Sequence, residues 1–508
     1  LPLSLLAIGL PFVLVKRFAK TKTTGSGTHI VLEAYHLTNG EISLKDTIVK
    51  PIAGMLTMGL GGNAGPEGPS LLAGGGVASA IADRFNFRSD LRRRLFVAGA
   101  AAGLAATFRT PLTGILFALE IPYKNDLDRE TFIEAVVASV PAYLLSITVL
   151  GSEPLFGISL AATITWTEIA LSLLLGLICG LYAIFFTKTF TWTEHLTFKI
   201  RKRLGNKALI LAAATMLSLS GAVSLYTIGV GLNFASAVIH TASLSIGLLV
   251  VIVLLKTFLT SVTLNFGGSG GLFFPTIVIG AGIGSIFAQV FNVNYPVMFI
   301  AVGMAALLGG THKVLLTPVA FIVETLGGIF AIPALLANGV SYLISGKHSF
   351  YPLQPNSRLK AEVLALERFY RQVERKVPEE LELTLAVDVM TKKPVVLHQG
   401  ASVQEALALF EGTKFRVFPV IDGLGRVVGA VKLEDLGYVG VHRQSMGLSE
   451  TVMHKPTTID AKTSLKAVVQ VMLEQEQDHL FVVDQDEKLI GVISGIDVNK
   501  KMIELLTP

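Results

Sequence analysis

The feature that most limits how this chain can fold is its scarcity of charge over long apolar stretches. Apolar runs follow one another from residue 1 to about residue 345. Between residues 151 and 350 the acidic side chains are Glu153, Glu168, Glu194 and Glu324. Of all residues, 51% are hydrophobic and 16% are charged. This composition predicts a protein that crosses a lipid bilayer several times.

The apolar runs are short, and glycine or proline interrupts many of them. Uniform spans of about 20 residues would indicate a plain helical bundle. Interrupted helices instead favour a transporter-like fold with a binding site at mid-membrane depth. The interrupted runs are Pro51–Leu60, Ser70–Ala82, Leu95–Ile121, Phe273–Val290 and Val297–Leu308.

Beyond about Lys347 the composition changes to that of a soluble protein. One cysteine, Cys179, excludes an intrachain disulfide and suits a soluble tail in the cytoplasm. The net charge of +5 is typical of positive loops on the cytoplasmic side, and it does not indicate a nucleic-acid partner. The chain begins at Leu1 inside an apolar run, so we expect further N-terminal helices to be missing from this sequence.

Two glycine-rich blocks reveal an internal repeat. Gly61–Pro69 reads Gly-Gly-Asn-Ala-Gly-Pro-Glu-Gly-Pro, and Gly267–Pro275, 206 positions later, reads Gly-Gly-Ser-Gly-Gly-Leu-Phe-Phe-Pro. Thr110-Pro111 is echoed 207 positions later by Thr317-Pro318. We therefore expect an all-α membrane domain of two repeated halves with discontinuous helices. Repeat orientation cannot be read from the sequence, but inverted repeats are common in transporters and are the expected arrangement.

Glu67 is the single carboxylate of the first block. A carboxylate at membrane depth costs about 2.5–3.5 kcal/mol on insertion scales, so it is a functional candidate. Glycine-rich backbone before a helix start exposes N–H groups, and such groups bind anions. Glu67 is itself an anion, so its carboxylate can occupy the anion position until protonation releases it. The sequence thus predicts an anion site with a glutamate gate.

Four segments supply candidate ligands for that anion. Their backbone amides and hydroxyl groups would hold it without a full positive charge, which keeps binding loose enough for conduction. Glu120 and Glu324 are interpreted as structural partners of backbone donors. The candidate anion-binding residues are Ser26, Gly27, Gly65, Gly68, Leu272, Phe273 and Tyr351.

These blocks resemble the CLC family of chloride channels and proton-coupled chloride exchangers. The family's motifs are Gly-Ser-Gly-Ile-Pro, Gly-(Arg/Lys)-Glu-Gly-Pro and Gly-x-Phe-x-Pro, with a late tyrosine, and the resemblance covers about residues 1–355. It implies that Ser26 and Tyr351 coordinate the central anion, that Glu67 is the gating glutamate and that Phe273 contributes an amide. It also implies a homodimer with one pore in each subunit.

Three departures from the family pattern bear on mechanism. Thr28-His29 replaces Ile-Pro, and Pro66 stands where the family has Arg or Lys. Ile121 stands where exchangers carry the acidic residue that relays protons from inside. Because isoleucine cannot carry a proton, we expect passive, channel-like conduction. Some exchangers have a non-acidic residue there, so proton-coupled exchange remains the alternative.

Residues 384–508 contain a second repeat, with units at about 384–440 and 446–508, that resembles a tandem pair of cystathionine-β-synthase-type (CBS) domains. Each unit is predicted as strand, helix, strand, strand, helix, which makes the tail an α+β domain. The resemblance implies a possible adenine nucleotide (ATP, ADP or AMP) on Ser494, Asp497 and Asp435, although Lys432 departs from the hydroxyl expected in the first unit. Residues 356–383 are predicted as a linker helix.

Two other classes of protein are weaker interpretations. A CBS-regulated cation transporter would need several membrane carboxylates to converge, and Glu67, Glu120 and Glu324 are those available. An intramembrane serine hydrolase could use Ser269 with His312, but the repeat places Asn63 at the serine's position, which favours a scaffold role. We therefore expect no enzyme activity, no metal site and no required cofactor.

Overall fold

The computed structural model describes residues 1–153, 155–157, 163–240, 244–356, 359–411, 413, 417–432, 436, 447–448, 453–475 and 477–506. Contacts within the chain divide it into two units, Leu1–Arg358 and Leu359–Pro508. The first unit is helical, and the second combines helices with two small sheets. Each unit is described below by itself.

Helices of very different lengths build the first unit. Several are too short to cross a bilayer, as the interrupted apolar runs predict. Gly205 breaks α8 with a φ of +77°, so this stretch is two helices in succession. The helices are α1 Pro2–Phe18, α2 Gly27–Leu37, α3 Leu44–Gly59, α4 Glu67–Arg84, α5 Ser89–Phe108, α6 Pro111–Glu120, α7 Phe132–Leu150, α8 Trp166–Val223, α9 Leu232–His240, α10 Ile246–Asn265, α11 Phe273–Val290, α12 Pro296–His312, α13 Thr317–Thr325 and α14 Ala331–Ile344.

The outer surface of this unit is apolar. In the described part of the chain, four helical stretches are long and apolar enough to cross a membrane: Arg129–Leu150, Trp166–Val223, Ile246–Asn265 and Phe273–Val290. On α7 the side chains of Ile133, Val137 and Leu145 are each more than 60% exposed. An apolar surface of this kind is stable against lipid rather than water.

The predicted repeat is present as two matching helix triplets. Helices α4, α5 and α6 correspond in order to α11, α12 and α13. In the first triplet α4 crosses α5 where Gly74 meets Gly99, and a Cβ at either position would strike the other's carbonyl oxygen. In the second triplet α11 crosses α12 in the same way at Gly280 and Gly303. The two halves therefore resemble each other in how their helices pack as well as in sequence.

The short helices α6 and α13 cap one another. The Glu120 carboxylate, at the end of α6, accepts hydrogen bonds of 2.6–3.1 Å from Leu315, Leu316 and Thr317 at the start of α13. The Glu324 carboxylate, on α13, accepts bonds of 2.6–2.8 Å from Leu112 and Thr113 at the start of α6.

This reciprocal capping tests two predictions made from the sequence: the structural role of Glu120 and Glu324, and the inverted orientation of the two halves. The structural role predicted for Glu120 and Glu324 is confirmed, because both carboxylates satisfy amides that a helix start leaves unpaired. The end of each helix also lies beside the start of the other, so the equivalent helices run in opposite directions. The two halves are therefore inverted relative to each other at this pair.

The second unit begins with helices that pack into the core of the tail. Leu366, Tyr370 and Val373 of the first of these, in the segment predicted as a linker helix, are buried there. The helices are α15 Leu359–Lys376, α16 Pro378–Leu383, α17 Ala386–Val389, α18 Val403–Glu411, α19 Leu465–Glu474 and α20 Gly495–Leu506. The strands are β3 Thr391–Lys392, β4 Leu397–His398, β5 Val417–Ile421, β6 Val427–Lys432, β7 Thr458–Asp460, β8 His479–Val483 and β9 Leu489–Ser494.

The two sheets of this unit reproduce the predicted repeat. In one sheet β4 lies parallel to β5 and β5 antiparallel to β6, and in the other β7, β8 and β9 follow the same pattern. Strand β3, in the leading segment of the first repeat, pairs with β9 of the second. The Met390 side chain packs over Gly491, and the Met453 side chain packs over Gly429. Each repeat thus lends its leading segment to the other, which makes the pair one α+β unit.

Candidate functional site

Three glycine-rich segments distant in sequence meet in the middle of the first unit. The strand β1 Gly25–Ser26 pairs in parallel with β2 Ser269–Gly270, and the Gly25 amide donates to the Gly268 carbonyl at 3.0 Å. The third segment joins through Gly65, whose amide donates to the Gly271 carbonyl at 2.9 Å. Helices α2, α4 and α11 each begin directly after one of these segments, so three helix N-termini converge here.

The Glu67 carboxylate lies at this meeting point and is fully buried. Its Oε1 accepts a hydrogen bond of 2.5 Å from the Phe273 amide, and its Oε2 accepts one of 3.5 Å from the Phe274 amide. These amides are the first of α11, where the positive end of the helix dipole favours an anion. Phe273 is one of the predicted donors, and Phe274 lies one residue beyond the predicted pair of Leu272 and Phe273. The side chain of one repeat therefore occupies the helix start of the other.

Glycine is required on both sides of this carboxylate. A Cβ at Gly65 or at Gly271 would strike the Glu67 carboxylate oxygens. Close approach of backbone is also needed where α2 and α4 start, since a Cβ at Gly27 would lie 2.6 Å from the Gly68 carbonyl group. Gly65 and Gly271 thus leave room for the carboxylate, whereas Gly27 and Gly68 let the starts of α2 and α4 approach each other closely.

Two candidate hydroxyl groups lie buried in the same region. Ser26 is 7% exposed, precedes α2, and its Oγ has no hydrogen-bond partner within the described residues. Tyr351 is fully buried, its hydroxyl lies near that of Thr28 without a hydrogen bond of normal geometry, and Glu67 is among the groups that act on it electrostatically. Buried hydroxyl groups ordinarily have partners, so two unsatisfied ones beside a helix N-terminus are suited to an anion.

The departures from the family motif have visible places in the fold. The Nε2 of His29 lies 2.9 Å from the Phe350 carbonyl, and its ring packs against that of Tyr351. Pro66 stands immediately before α4. Lys256 is 1% exposed and donates to Asn63 Oδ1 at 2.8 Å and to the Gly229 carbonyl at 3.1 Å. It therefore holds the glycine-rich block that carries Glu67.

Ile121 is 1% exposed and lies directly after α6 beside a small apolar cavity. A polar cluster that sequence reasoning missed borders the same cavity. The Tyr35 hydroxyl donates to Asp128 at 3.0 Å and lies 3.0 Å from the Tyr123 hydroxyl. The sequence carries no signal for this cluster, because its members are 88 and 93 positions apart.

The carboxylates needed for cation binding do not converge. Glu120 and Glu324 are each engaged at a helix start rather than with Glu67. Within the described residues no group of three or more His, Cys, Asp or Glu side chains could hold a metal ion. The Ser269 amide donates to Thr57 in the glycine scaffold, while His312 packs against Phe273 and Tyr351. These positions favour an anion site over the cation and hydrolase interpretations.

In the second unit Ser494 and Asp497 bond to each other. Asp497 Oδ2 accepts from the Ser494 amide at 2.8 Å and from its hydroxyl at 2.6 Å, and the Asp497 amide donates to Ser494 Oγ at 3.3 Å. This is a capping box at the start of α20. Ser402 and Glu405 form the same arrangement at the start of α18. The third predicted nucleotide ligand, Asp435, lies outside the described residues.

The fold and the site define a polytopic membrane protein whose inverted repeats aim helix N-termini at a buried glutamate. The family model described as "voltage gated chloride channel" matches residues 5–346, and the CBS domain model matches residues 386–436 and 448–504. The chain belongs to the voltage gated chloride channel (CLC) family and carries two CBS domains. The predicted family and fold class are confirmed.

Named relatives belong to the same family. The chain is 29% identical over 301 residues to "Chloride channel protein CLC-f" of Arabidopsis thaliana, a match covering 54% of this chain and 38% of that protein. It is 27% identical over 311 residues to "H(+)/Cl(-) exchange transporter ClcA" of Vibrio cholerae, covering 58% of this chain and 65% of that one. The chain thus spans less than two thirds of the length of both.

A solved structure of "a eukaryotic CLC transporter" has the same fold. The TM-score is 0.59 at 18% identity, and the match covers 98% of this chain and 88% of the other. At this identity the likeness describes the fold alone.

Proposed function

We propose that this chain carries a small inorganic anion, chloride or a similar halide, across a membrane through the Glu67 site. The observation that carries the proposal is the Glu67 carboxylate bound to the Phe273 amide at the start of α11. A carboxylate held by helix-start amides supports the proposal, because such amides favour negative charge. The unpartnered hydroxyls of Ser26 and Tyr351 supply further donors to an anion that replaces it.

Glu67 acts as the gate of this path. While ionised, its carboxylate occupies the amides that an anion would use. Protonation removes its charge and weakens its hydrogen bonds, because bonds to charged groups are the stronger ones. The carboxyl group then leaves and an anion enters. The permeant anion is held by partial charges, which is the loose binding that conduction requires.

The proposed mode of transport is passive conduction. Ile121 carries no proton, and the cavity beside it is apolar. Proton-coupled exchange is the second candidate. It is favoured by the Vibrio cholerae relative, which is named as an H(+)/Cl(-) exchange transporter, and by the Tyr35–Asp128 cluster near Ile121.

Simultaneous recording of chloride and pH distinguishes the two modes. In liposomes loaded with chloride, we expect the purified full-length protein to release chloride without moving protons in a fixed ratio. Uphill proton movement driven by a chloride gradient would overturn passive conduction in favour of exchange. If protein shown to be folded moved no chloride, anion transport itself would be wrong. Protein-free liposomes serve as the control.

Assembly and location are part of the same proposal. Family membership supports a homodimer in the lipid bilayer with the CBS pair in the cytoplasm, where the pair regulates the gate. The mass of the detergent-solubilised protein, measured by light scattering, tests the dimer, and a monomeric mass would contradict it.

The proposed ligand of the CBS pair is an adenine nucleotide bound by Ser494 and Asp497. This ligand is proposed because residues 386–436 and 448–504 match the CBS domain model. The two side chains already satisfy each other and the start of α20, so they would have to contact a nucleotide from within the capping box.

We expect Asp497→Ala to abolish heat exchange with ATP and AMP in calorimetry on the full-length protein. The substitution also removes a cap, which costs about 1 kcal/mol. Glu405→Ala removes the equivalent cap on α18 and is the matched control, expected to keep nucleotide binding. Equal titrations of the wild type and Asp497→Ala would show that Ser494 and Asp497 only cap the helix.

A further inference from the structure

Five buried polar atoms without a hydrogen-bond partner belong to side chains on the segments that meet around Tyr351 and Glu67. The described residues contain fifteen buried side-chain nitrogen and oxygen atoms without a hydrogen-bond partner, and a third of them lie in this cluster. Buried polar atoms without partners are rare in folded proteins, so a cluster of them indicates a missing ligand. The five atoms are Ser26 Oγ, Thr28 Oγ1, His29 Nδ1, His312 Nε2 and the Tyr351 hydroxyl.

The two histidines pack on the Tyr351 ring. The centroid of the His29 ring lies 5.0 Å from that of Tyr351, and the centroid of the His312 ring lies 5.5 Å from it. His312 is fully buried, and its ring also lies 6.1 Å from that of Phe273, the residue whose amide holds Glu67. The pair therefore lies beside the proposed anion position.

Hydrogen bonding sets the tautomer of each ring. His29 Nε2 lies 2.9 Å from the Phe350 carbonyl, which can only accept, so Nε2 carries the proton of the neutral ring. His312 Nδ1 lies 2.9 Å from the Thr311 hydroxyl. That hydroxyl donates its own proton to the Leu307 carbonyl at 2.9 Å, so Nδ1 of His312 is the donor.

The unpartnered nitrogen of each neutral ring is consequently a bare lone pair. His29 Nδ1 and His312 Nε2 can then only accept a hydrogen bond, and a lone pair repels an anion. Protonation converts each of them into a charged N–H donor. One proton on a ring therefore changes its contribution from unfavourable to favourable for an anion.

Apart from Glu67 and Tyr351, the groups described around the two histidines supply no negative charge that would balance a proton on one of the rings. His29, from α2, and His312, from α12, act electrostatically on each other. Tyr351 faces both rings from the segment after α14, and Glu67 acts on the Tyr351 phenol. Lys313 follows His312 in the chain, but its Nζ donates to the Tyr342 carbonyl and to Ser345 Oγ. Once the Glu67 carboxyl group has left the Phe273 and Phe274 amides, the entering anion supplies the negative charge that a protonated histidine ring attracts.

We propose that His29 and His312 form a proton-dependent part of the anion site, so that a halide-sized anion binds beside Tyr351 together with a proton. The inference rests on the proposed anion transport and adds a role for His29, at the motif position where the family has proline, and for His312, outside the motifs. Coupling of this kind is reciprocal: if protonation strengthens anion binding, anion binding promotes proton uptake by the same factor.

Chloride titration calorimetry on the full-length protein tests the pair. Glu67→Gln serves as the parent, because it removes the competing carboxylate and its own titration. We expect chloride to bind the parent about tenfold more tightly at pH 5.5 than at pH 7.5, since hydrogen bonds to charged groups are the stronger ones. Titrations in two buffers of different ionisation enthalpy should show proton uptake on binding. Adding His29→Gln and His312→Gln should remove both effects.

His195→Gln, at an exposed position of α8, is the control and should leave both effects unchanged. Persistence of the pH dependence and of the proton uptake in the folded double histidine variant would overturn the inference. If the double histidine variant does not fold, the calorimetry on Glu67→Gln alone tests the inference. Chloride binding without proton uptake in that protein overturns the inference, and proton uptake supports it. Absence of chloride binding to the parent at any pH would instead contradict the proposed anion transport.

Discussion

Glu67→Ala is expected to raise chloride affinity about tenfold or more and to weaken the dependence of chloride flux on pH, leaving the part that His29 and His312 supply. In the wild type the carboxylate competes with chloride for the Phe273 and Phe274 amides, and hydrogen bonds to charged groups contribute about 1.5–3 kcal/mol each. A difference of about 1.4 kcal/mol is already a factor of ten. Wild-type flux should rise as the pH falls, because protonation releases the carboxyl group from the amides, whereas alanine leaves nothing to release.

The measurement is initial chloride efflux from liposomes between pH 5 and pH 8, with the amount of incorporated protein determined for each variant. Glu153→Ala removes an exposed glutamate after α7 and should retain the wild-type profile. Because alanine removes bulk as well as charge, Glu67→Gln is included to remove the charge while keeping the size. A Glu67→Ala profile that still follows pH as the wild type does would exclude Glu67 as the gate.

Glu120→Ala is expected to cause the largest loss of stability in the membrane unit, about 3 kcal/mol or more in the free energy of unfolding. The carboxylate accepts four hydrogen bonds from Leu315, Leu316 and Thr317 and is 6% exposed. Each buried donor left unpaired costs about 1–3 kcal/mol, reduced where water can enter. Denaturation in mixed detergent micelles measures the change.

Glu324→Ala is the comparison from the other repeat. Its carboxylate accepts three bonds, and Leu112 beside it is 45% exposed, so water can replace part of what is lost. We expect a smaller destabilisation there. Glu120→Gln keeps one accepting oxygen and should fall between the wild type and the alanine variant. An alanine variant at 120 as stable as the wild type would show that the cap contributes nothing.

Local sequence patterns were sufficient to predict the main architecture of the chain. The interrupted apolar runs, the repeat offset of 206 and the second repeat in the tail predicted a membrane unit of two repeated halves and a tandem tail, but the orientation of the halves could not be read from them. Glu67 could be singled out because a carboxylate in a long apolar region is costly. The prediction that Glu120 and Glu324 pair with backbone donors is confirmed, although which donors could not be predicted.

Contacts between distant segments could not be predicted in the same way. The second amide on Glu67 belongs to Phe274, one residue beyond the predicted pair of Leu272 and Phe273. Lys256 donates a hydrogen bond to Asn63, which lies 193 positions away in the chain. The Tyr35–Asp128 cluster has no motif, since residues of α2 meet the segment after α6 only when the helices pack.

The sequence by itself determined the class of this protein: a membrane domain of two halves, a glutamate on a glycine-rich helix start, and a tandem tail. These follow from composition, period and local backbone chemistry, which are properties of neighbouring residues. Only the tertiary structure decided which groups meet around Tyr351. His29 and His312 lie 283 positions apart in the chain, and the packing of α2 and α12 on one phenol turned two isolated histidines into a pair.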